Sequence, residues 1–372
     1  MAEIIFDPTG SLENFETHLN TLNTQEGTVM ILACDDNGFE KESMNPLLHG
    51  SKQPLLGIIV PSIIYNMKKY DKGTLFIMIS DIMDIHIIHD ISQKNYESID
   101  EDMEAQIESF SESVKTMFVY IDGLAKNIGT CVNVLFDNYG LDINYIGGGS
   151  GSLSFEQKPS LFTNEGLLTD AFVYAYSKCQ SSIGVSHGWK SIKGPYQVTK
   201  SEGTTIYEID YKPAFDVYKE VVNKYASEPI TQDNFFDIAK SFPFGLNTIT
   251  DEKIVRDPIV LDGTSLVCVG SVPEGSYVDI LYGESDALIQ AARHAAYISE
   301  EGLDFKQQFT LFIDCISRVL FLEDDFKSEI DAVYHSDMPL VGALTFGEIA
   351  NNGRDYLAFY NKTSVVGHIG HE

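Results

Sequence analysis

Three side chains in the carboxyl-terminal half of the chain carry groups that could bind a small polar molecule. Cys315 ends the apolar run FTLFIDC, Arg318 lies three residues after it, and Glu348 follows the run PLVGALTFG. Side chains at the end of a buried strand commonly enter a site; a guanidinium binds a carboxylate, and a carboxylate binds an amine. We therefore predict that Arg318 and Glu348 bind the carboxylate and the amine of a small metabolite such as an amino acid, beside Cys315.

The same residues allow two other interpretations. A guanidinium next to Cys315 would lower the pKa of the thiol and favour the nucleophilic thiolate, so a cysteine-dependent enzyme is one alternative. Against it, the sequence offers no His or Asn pattern that would complete a cysteine hydrolase. In the other interpretation, Cys315 is a buried thiol and Arg318 forms an ion pair with Glu329 or Glu348.

A glycine-rich stretch, NYIGGGSGSL, contains Gly147, Gly148 and Gly149. A phosphate-binding loop needs a lysine followed by Ser or Thr after its glycines, and here no basic residue precedes Lys158. The sequence therefore predicts a tight turn that lines a pocket and can donate N–H groups to a carboxylate, rather than a nucleotide site.

Histidines occur at two further places with chemical potential. His187 lies two residues before Trp189, the only tryptophan, at the end of an apolar run. It is predicted to be a hydrogen-bonded pocket residue, with haem ligation as the alternative. His86 and His89 are three residues apart among aspartates, and on a strand they face opposite sides, which disfavours a metal site.

Composition excludes several functional classes. The chain has 372 residues, 55 acidic against 25 basic, for a net charge of −30. Such a surface repels nucleic-acid phosphates and anionic lipids. The apolar runs are shorter than a membrane span, and no export signal is recognisable at the start. Five scattered cysteines suit a reducing compartment, so we predict a cytoplasmic protein that neither binds nucleic acid nor inserts into a membrane.

Hydrophobic periodicity predicts alternating helices and strands. Strands are expected over 74–80, 142–146 and 309–315, and an amphipathic helix over 97–118. Hairpin signals lie among the β-α units. The fold class is therefore α/β, or mixed α+β, with mixed and partly antiparallel sheets flanked by helices. The sequence PLLG at 54–57 is echoed by PLVG at 339–342, which indicates two related halves.

An ordered set of short motifs runs through both halves. It comprises GGGSG at 147–151, GVSHGW at 184–189, VPEG at 272–275, CISR at 315–318 and G-x4-GEI at 342–349, followed by Asn361. In this order the set resembles the FIST sensory family, which has an N-terminal and a C-terminal module. In the stretch after Gly57, the family's second glycine and glutamate are missing, so only the C-terminal module keeps its polar group, Glu348.

The resemblance implies a domain division and a function. Residues 1–24 would be an N-terminal extension, 25–212 the N-terminal module, 213–366 the C-terminal module and 367–372 a solvated tail containing His368 and His371. The family implies a non-enzymatic sensor that binds a small ligand between the modules. Partners would be a histidine kinase, a chemotaxis receptor or a cyclic-dinucleotide enzyme. Some members bind haem and sense nitric oxide, so the first alternative is a haem sensor with His187 or a C-terminal histidine as axial ligand; otherwise no cofactor is expected.

Overall fold

The computed structural model describes residues 2–248, 253–301, 303–351 and 356–371. Its helices are α1 (Leu12–Leu22), α2 (Lys41–His49), α3 (Tyr96–Glu104), α4 (Ile128–Tyr139), α5 (Ala214–Val222), α6 (Phe235–Ala239), α7 (Ser285–Glu300), α8 (Ile316–Leu322) and α9 (Phe326–Val333). Its strands are β1 (Glu3–Asp7), β2 (Thr28–Cys34), β3 (Leu55–Val60), β4 (Ser62–Tyr65), β5 (Lys68–Tyr70), β6 (Thr74–Ile79), β7 (Asp84–His89), β8 (Thr116–Asp122), β9 (Asn144–Ser150), β10 (Leu161–Thr163), β11 (Gly166–Leu168), β12 (Ala171–Ser177), β13 (Gln180–Ser186), β14 (Lys190–Glu202), β15 (Thr205–Ile209), β16 (Lys212–Pro213), β17 (Phe244–Leu246), β18 (Ile254–Asp262), β19 (Ser265–Val269), β20 (Tyr277–Tyr282), β21 (Lys306–Cys315), β22 (Leu340–Thr345), β23 (Glu348–Ala350), β24 (Ala358–Tyr360) and β25 (Ser364–His371).

The predicted class, mixed α/β with partly antiparallel sheets flanked by helices, is confirmed. Across the described ranges, the strands form four sheets. Their strand orders are β1-β6-β2-β3-β10-β11, β7-β12-β8-β9-β23-β24, β13-β25-β21-β22-β4-β5 and β14-β20-β17-β18-β19-β15-β16.

The first three sheets share one plan. Each has a central parallel pair joined by a helical crossover: β2 with β3, β8 with β9, and β21 with β22. An antiparallel strand flanks each pair on either side. The described chain thus contains three copies of one unit, which we call repeat 1 (3–79), repeat 2 (84–177) and repeat 3 (180–371). The fourth sheet, with α5 and α6, interrupts repeat 3 at 190–282, and we call this segment the insert.

The repeats exchange hairpins. The β4–β5 hairpin of repeat 1 pairs with β22 of repeat 3, β10–β11 of repeat 2 pairs with β3 of repeat 1, and β23–β24 of repeat 3 pairs with β9 of repeat 2. Each of these three sheets is therefore completed by a neighbouring repeat. The inner faces of all three sheets meet in one shared hydrophobic core, and each outer face is covered by its own helices.

The threefold plan explains the sequence echo. PLLG and PLVG occupy the starts of β3 and β22, and the middle copy is the start of β9. In all three, a glycine lies at the same register: Gly57, Gly147 and Gly342. A Cβ at these positions would lie 2.0, 1.7 and 2.3 Å from the carbonyl oxygen of the residue paired with each glycine. Two parallel strands approach here too closely for any side chain.

Two predicted segments differ in the structure. The helix expected over 97–118 ends with α3 at Glu104, and β8 already begins at Thr116. The apolar residues of this stretch do face one core. The serine side chains between them can hydrogen-bond to the nearby backbone, and these bonds compete with those of a helix. Of the solvated tail expected at 367–372, residues 367–371 lie instead in β25, in which His368 is 3% exposed between β13 and β21; Glu372 lies outside the described residues.

Candidate ligand-binding site

A cleft lies where the carboxyl end of β21 meets the insert and the loop after β9. It is small and partly open to solvent, with a free volume of about 30 Å³ for the centres of water-sized molecules. The lining is mostly apolar, and its residues are Leu153, Phe155, Phe236, Asp257, Ile259, Val269, Cys315, Ile316, Ser317, Leu320, Phe346, Gly347 and Asn361. Because β18 and β19 of the insert, repeat 3 and the β9–β10 loop all contribute, the cleft joins three separate parts of the chain.

Two polar side chains in this cleft have unused hydrogen-bonding atoms. Asn361 is 1% exposed, and neither its Nδ2 nor its Oδ1 bonds to any described residue. Asp257 is also 1% exposed, and its Oδ1 lacks a partner in the same described ranges. Buried polar atoms are nearly always paired, and each unpaired one costs on the order of 1–3 kcal/mol. These atoms are therefore available to a molecule that enters the cleft.

The other oxygen of Asp257 is firmly held. Ser317 Oγ donates to Oδ2 at 3.0 Å, and the ammonium of Lys362 lies 3.1 Å from it. Lys362 is fully buried, has φ +53° and places its Nζ 5.0 Å from the centre of the Trp189 ring. Burial raises the pKa of Asp257, and the positive charge of Lys362 opposes that shift. The Asp257–Lys362 pair is thus locally neutral, with one carboxylate oxygen left for the cleft.

Gly147, Gly148 and Gly149 do not form the predicted turn; they lie in β9, a central strand. Gly148 is directly opposite Glu348 of β23. The Gly149 N–H donates to Gly347 O at 2.8 Å, so this donor is used inside the protein. The reason is steric, since a run of glycines lets β8, β9 and the residues before β23 approach closely.

Cys315 and Glu348 are in contact beneath the cleft. The Cys315 thiol lies close to Glu348, which accepts from Thr345 Oγ1 at 3.1 Å and from the Thr363 N–H at 3.2 Å. Burial raises the pKa of Glu348 to about 8. Burial, and then the charge of Glu348, raise the pKa of Cys315 well above its ordinary value. The expected lowering of the thiol pKa by a guanidinium is wrong, and a neutral thiol is a poor nucleophile.

The raised pKa of Glu348 predicts a measurable pH dependence of stability. A carboxyl that gains affinity for a proton on folding stabilises the folded state less as pH rises from its ordinary 4.5 towards about 8. Each pH unit in that window is worth roughly 1.4 kcal/mol. We expect Glu348→Gln to lack this loss. In urea titrations, the unfolding free energy of the variant minus that of the wild type should therefore increase by a few kcal/mol between about pH 5 and pH 9. Glu220→Gln, at an exposed site, is the control; stability curves for Glu348→Gln and wild type that run parallel would contradict the assignment.

Arg318 is fully buried and uses every nitrogen of its guanidinium within the protein. Nε donates to Glu329 Oε1 at 2.9 Å. Nη1 donates to the carbonyls of His187 (2.7 Å) and Lys362 (3.1 Å), and Nη2 donates to Leu288 O (2.9 Å) and to Glu329. All five N–H donors have an acceptor, with Glu329 Oε1 accepting two of them, so none is left for a ligand in this arrangement. This ion pair with Glu329 is the one that the sequence allows as an alternative to ligand binding by Arg318.

His187 and Trp189 lie behind the cleft rather than in its lining. His187 Nδ1 accepts from the Trp189 N–H at 2.9 Å, and the Trp189 Nε1–H donates to Lys362 O at 3.0 Å. Burial, with the charge of Arg318, lowers the pKa of His187 to about 4. Of the predicted site residues, Cys315 alone lines the cleft. Arg318 and Trp189 both donate to the carbonyl of Lys362, and His187 accepts from Trp189.

Sequence reasoning missed Asp257 as a site residue, and it noted Asn361 only as part of the family motif set. Asn361 and Lys362 follow the short strand β24, and Asp257 lies in the insert, more than 100 residues earlier. A lysine with positive φ is not visible in a sequence. The signal that was available is Asn361 itself, a polar residue inside the apolar series of the last strands.

His86 and His89, the other histidines considered from the sequence, both lie on β7. This element is a strand, as predicted, with His86 stacked on Tyr174 and His89 exposed beside Glu165. Within the described residues, no three His, Cys, Asp or Glu side chains are grouped to hold a metal ion. Among the helices of these ranges, none combines the length and apolar character of a membrane span.

Comparison with known proteins finds a similar curated sequence and a solved structure of low similarity. The chain is 23% identical over 254 residues to an uncharacterised protein of Methanocaldococcus jannaschii, an alignment that covers 61% of this chain and 48% of that protein. The chain thus spans about half the length of this curated relative. A crystal structure of chorismatase aligns over 100% of this chain and 98% of its own, with 8% identity and a TM-score of 0.35.

Family models match nearly the whole chain in two consecutive parts. The FIST N domain matches residues 28–212, and the FIST C domain matches residues 214–351. The division between them falls in β16 of the insert. Two matches in this order, covering most of the chain, show that it belongs to the FIST family.

Proposed function

We propose that this chain is a non-enzymatic, small-ligand sensory protein of signal transduction and that its ligand binds in the cleft lined by Asp257, Cys315 and Asn361. FIST domains are in general small-ligand sensory domains of signal transduction. The observation that carries the proposal for the cleft is Asn361, a buried amide with neither polar atom bonded to a described residue. A ligand in the cleft would supply the missing partners.

Two features favour binding over the alternatives considered from the sequence. The raised pKa of Cys315 keeps its thiol protonated, which disfavours nucleophilic catalysis. His187 uses Nδ1 for the Trp189 N–H and does not line the cleft, which disfavours haem binding in this cleft through His187. In our proposal Arg318 acts indirectly, because it fixes the carbonyls of His187 and Lys362 around the buried lysine.

The position of the cleft suggests how binding reaches a partner. Phe236, Asp257 and Val269 belong to the insert, whereas Cys315 belongs to the three-repeat core. A ligand that contacts both favours one arrangement of the insert over others by its difference in affinity. We propose that a cytoplasmic histidine kinase, chemotaxis receptor or cyclic-dinucleotide enzyme recognises that arrangement.

Asn361→Leu tests the proposal. Leucine has a similar size and no polar atoms, so it removes both unpaired groups. In the wild type, we expect the native mass to exceed the denatured mass by the mass of a bound small molecule. The variant should lose this mass increment. The same variant, freed of bound ligand, should be more stable than the ligand-free wild type by about 1 kcal/mol or more.

Asn133→Leu, the same substitution on the exposed side of α4, should keep the increment. An increment of unchanged occupancy in Asn361→Leu would contradict the assignment of the cleft. A wild type that carries no increment, even after incubation with a metabolite extract, would contradict the proposed function itself.

A further inference from the structure

The unpaired atoms of the cleft restrict the chemistry of what can fill it. They are one acceptor and one donor group on Asn361, Oδ1 and Nδ2, and one acceptor on Asp257, Oδ1. A complementary group offers two N–H donors and one acceptor close together. A primary carboxamide has this set, as does an amino group attached to a ring carbon beside an acceptor ring nitrogen.

The charges and unpaired atoms of the cleft favour a neutral ligand group over an ionic one. The Asp257 carboxylate is already paired with Lys362 at 3.1 Å and accepts from Ser317, so the cleft does not need a cation for neutrality. An ammonium has only donors and would leave Asn361 Nδ2 unpaired, whereas a carboxylate has only acceptors and would face Asp257 Oδ1. Either ion would leave a buried polar atom unsatisfied, which a neutral donor–acceptor group avoids.

The walls determine the rest of the ligand. Phe155 and Phe346 form an edge-to-face pair with ring centres 5.8 Å apart and planes at 88°. Phe236 and Leu153 also line the cleft, and together with Phe155 they are more than a third exposed, so apolar surface stands open at its mouth. Aromatic walls of this kind favour a flat ring.

We infer that the ligand of this cleft is a neutral, flat aromatic compound that bears a primary carboxamide or an equivalent amino–acceptor edge. The inference rests on the proposed function, because it assigns a chemical class to the same cleft. Asn361 pairs with the donor–acceptor edge through both of its atoms, and Asp257 Oδ1 accepts the second N–H of the amino group.

Ligand-observed NMR with matched probes tests the class. Benzamide and 2-aminopyrimidine represent the two forms of the edge, and N,N-dimethylbenzamide, benzoate and pyrimidine lack part of it. We expect at least one of the first two to bind at least tenfold more tightly than its matched analogues and to lose that binding in Asn361→Leu; which one binds identifies the form of the edge. Asn361→Asp, which replaces the donor by a second acceptor, should shift preference from benzamide to benzamidine by at least tenfold.

The possible failures are distinguishable. Binding of benzoate or dimethylbenzamide as tight as that of benzamide, with loss in Asn361→Leu, would overturn the class and leave the proposed site intact. No binding of benzamide or 2-aminopyrimidine by the wild type would also overturn the class. The mass increment of the purified protein, measured independently, then decides the proposed function.

Discussion

Arg318→Met is expected to lower the free energy of unfolding by about 3–5 kcal/mol at neutral pH, the range measured when one partner of a buried ion pair is removed. Arg318 and Glu329 are both fully buried, and Asp314 Oδ1 lies 3.2 Å from Arg318 Nε. Methionine fills much of the space but leaves two buried carboxyl groups without their cation. It also leaves the His187 and Leu288 carbonyls without a donor.

Urea unfolding of Arg318→Met at two pH values makes this test specific. Burial raises the pKa of Asp314 and of Glu329, and without the arginine both carboxyls bind protons still more readily. Acid neutralises them, so the loss should be smaller near pH 5.5 than near pH 8. Arg293→Met, an exposed site on α7, is the matched control.

A double variant separates charge from packing. Adding Glu329→Gln to Arg318→Met removes one uncompensated carboxylate, so it should recover part of the lost stability relative to the single variant. A loss below about 1 kcal/mol in Arg318→Met, or one independent of pH, would show that the ion pair is not what this residue contributes.

Gly147→Ala is expected to cost at least about 3 kcal/mol, at the upper end of the effects of overpacking. An alanine Cβ would lie 1.7 Å from the carbonyl oxygen of Val119, so β8 and β9 would have to separate. Gly57→Ala and Gly342→Ala, at the same register of the other repeats, should behave alike, with contacts of 2.0 and 2.3 Å.

Chemical denaturation of the three variants, followed by circular dichroism, provides the measurement. Gly129→Ala is the control, because its Cβ would approach only the Ser271 hydroxyl, at 3.2 Å, and alanine favours a helix. Three glycine variants with wild-type stability would show that the parallel pairs tolerate a wider spacing and would remove the physical basis of the shared register.

The strands, helices and fold class can largely be predicted from the sequence pattern. The arrangement of the three repeats cannot. The run TLFIMIS predicts β6, and alternating β-α signals predict the class. The sequence does not reveal the copy of the unit in repeat 2, because β9 begins Asn144-Tyr145-Ile146-Gly147 and lacks the Pro-Leu pair found in repeats 1 and 3. Its glycines favour a turn when taken alone, and only the closeness of β8 explains them.

The candidate site shows the same limit. The sequence identifies Cys315 and Glu348, which the structure places in contact, and it suggests an ion pair between Arg318 and Glu329. It does not show that Asp257 and Asn361 line the same cleft, because Asp257 lies in the insert, more than 100 residues before Asn361. Ligand binding by Arg318, Glu348, His187, Trp189 and the glycines stays a prediction.

The late position of β25 in the sequence governs when the sheet of repeat 3 can form during synthesis. β13 is made well before its described partner in the sheet, β25, with which it pairs from Ser186–Ser364 to Gln180–Gly370. β21 likewise waits for β25 on one side. The sheet of repeat 3 therefore stays open until β25 leaves the ribosome, and until then the nascent chain exposes apolar strand edges that invite aggregation or chaperone binding.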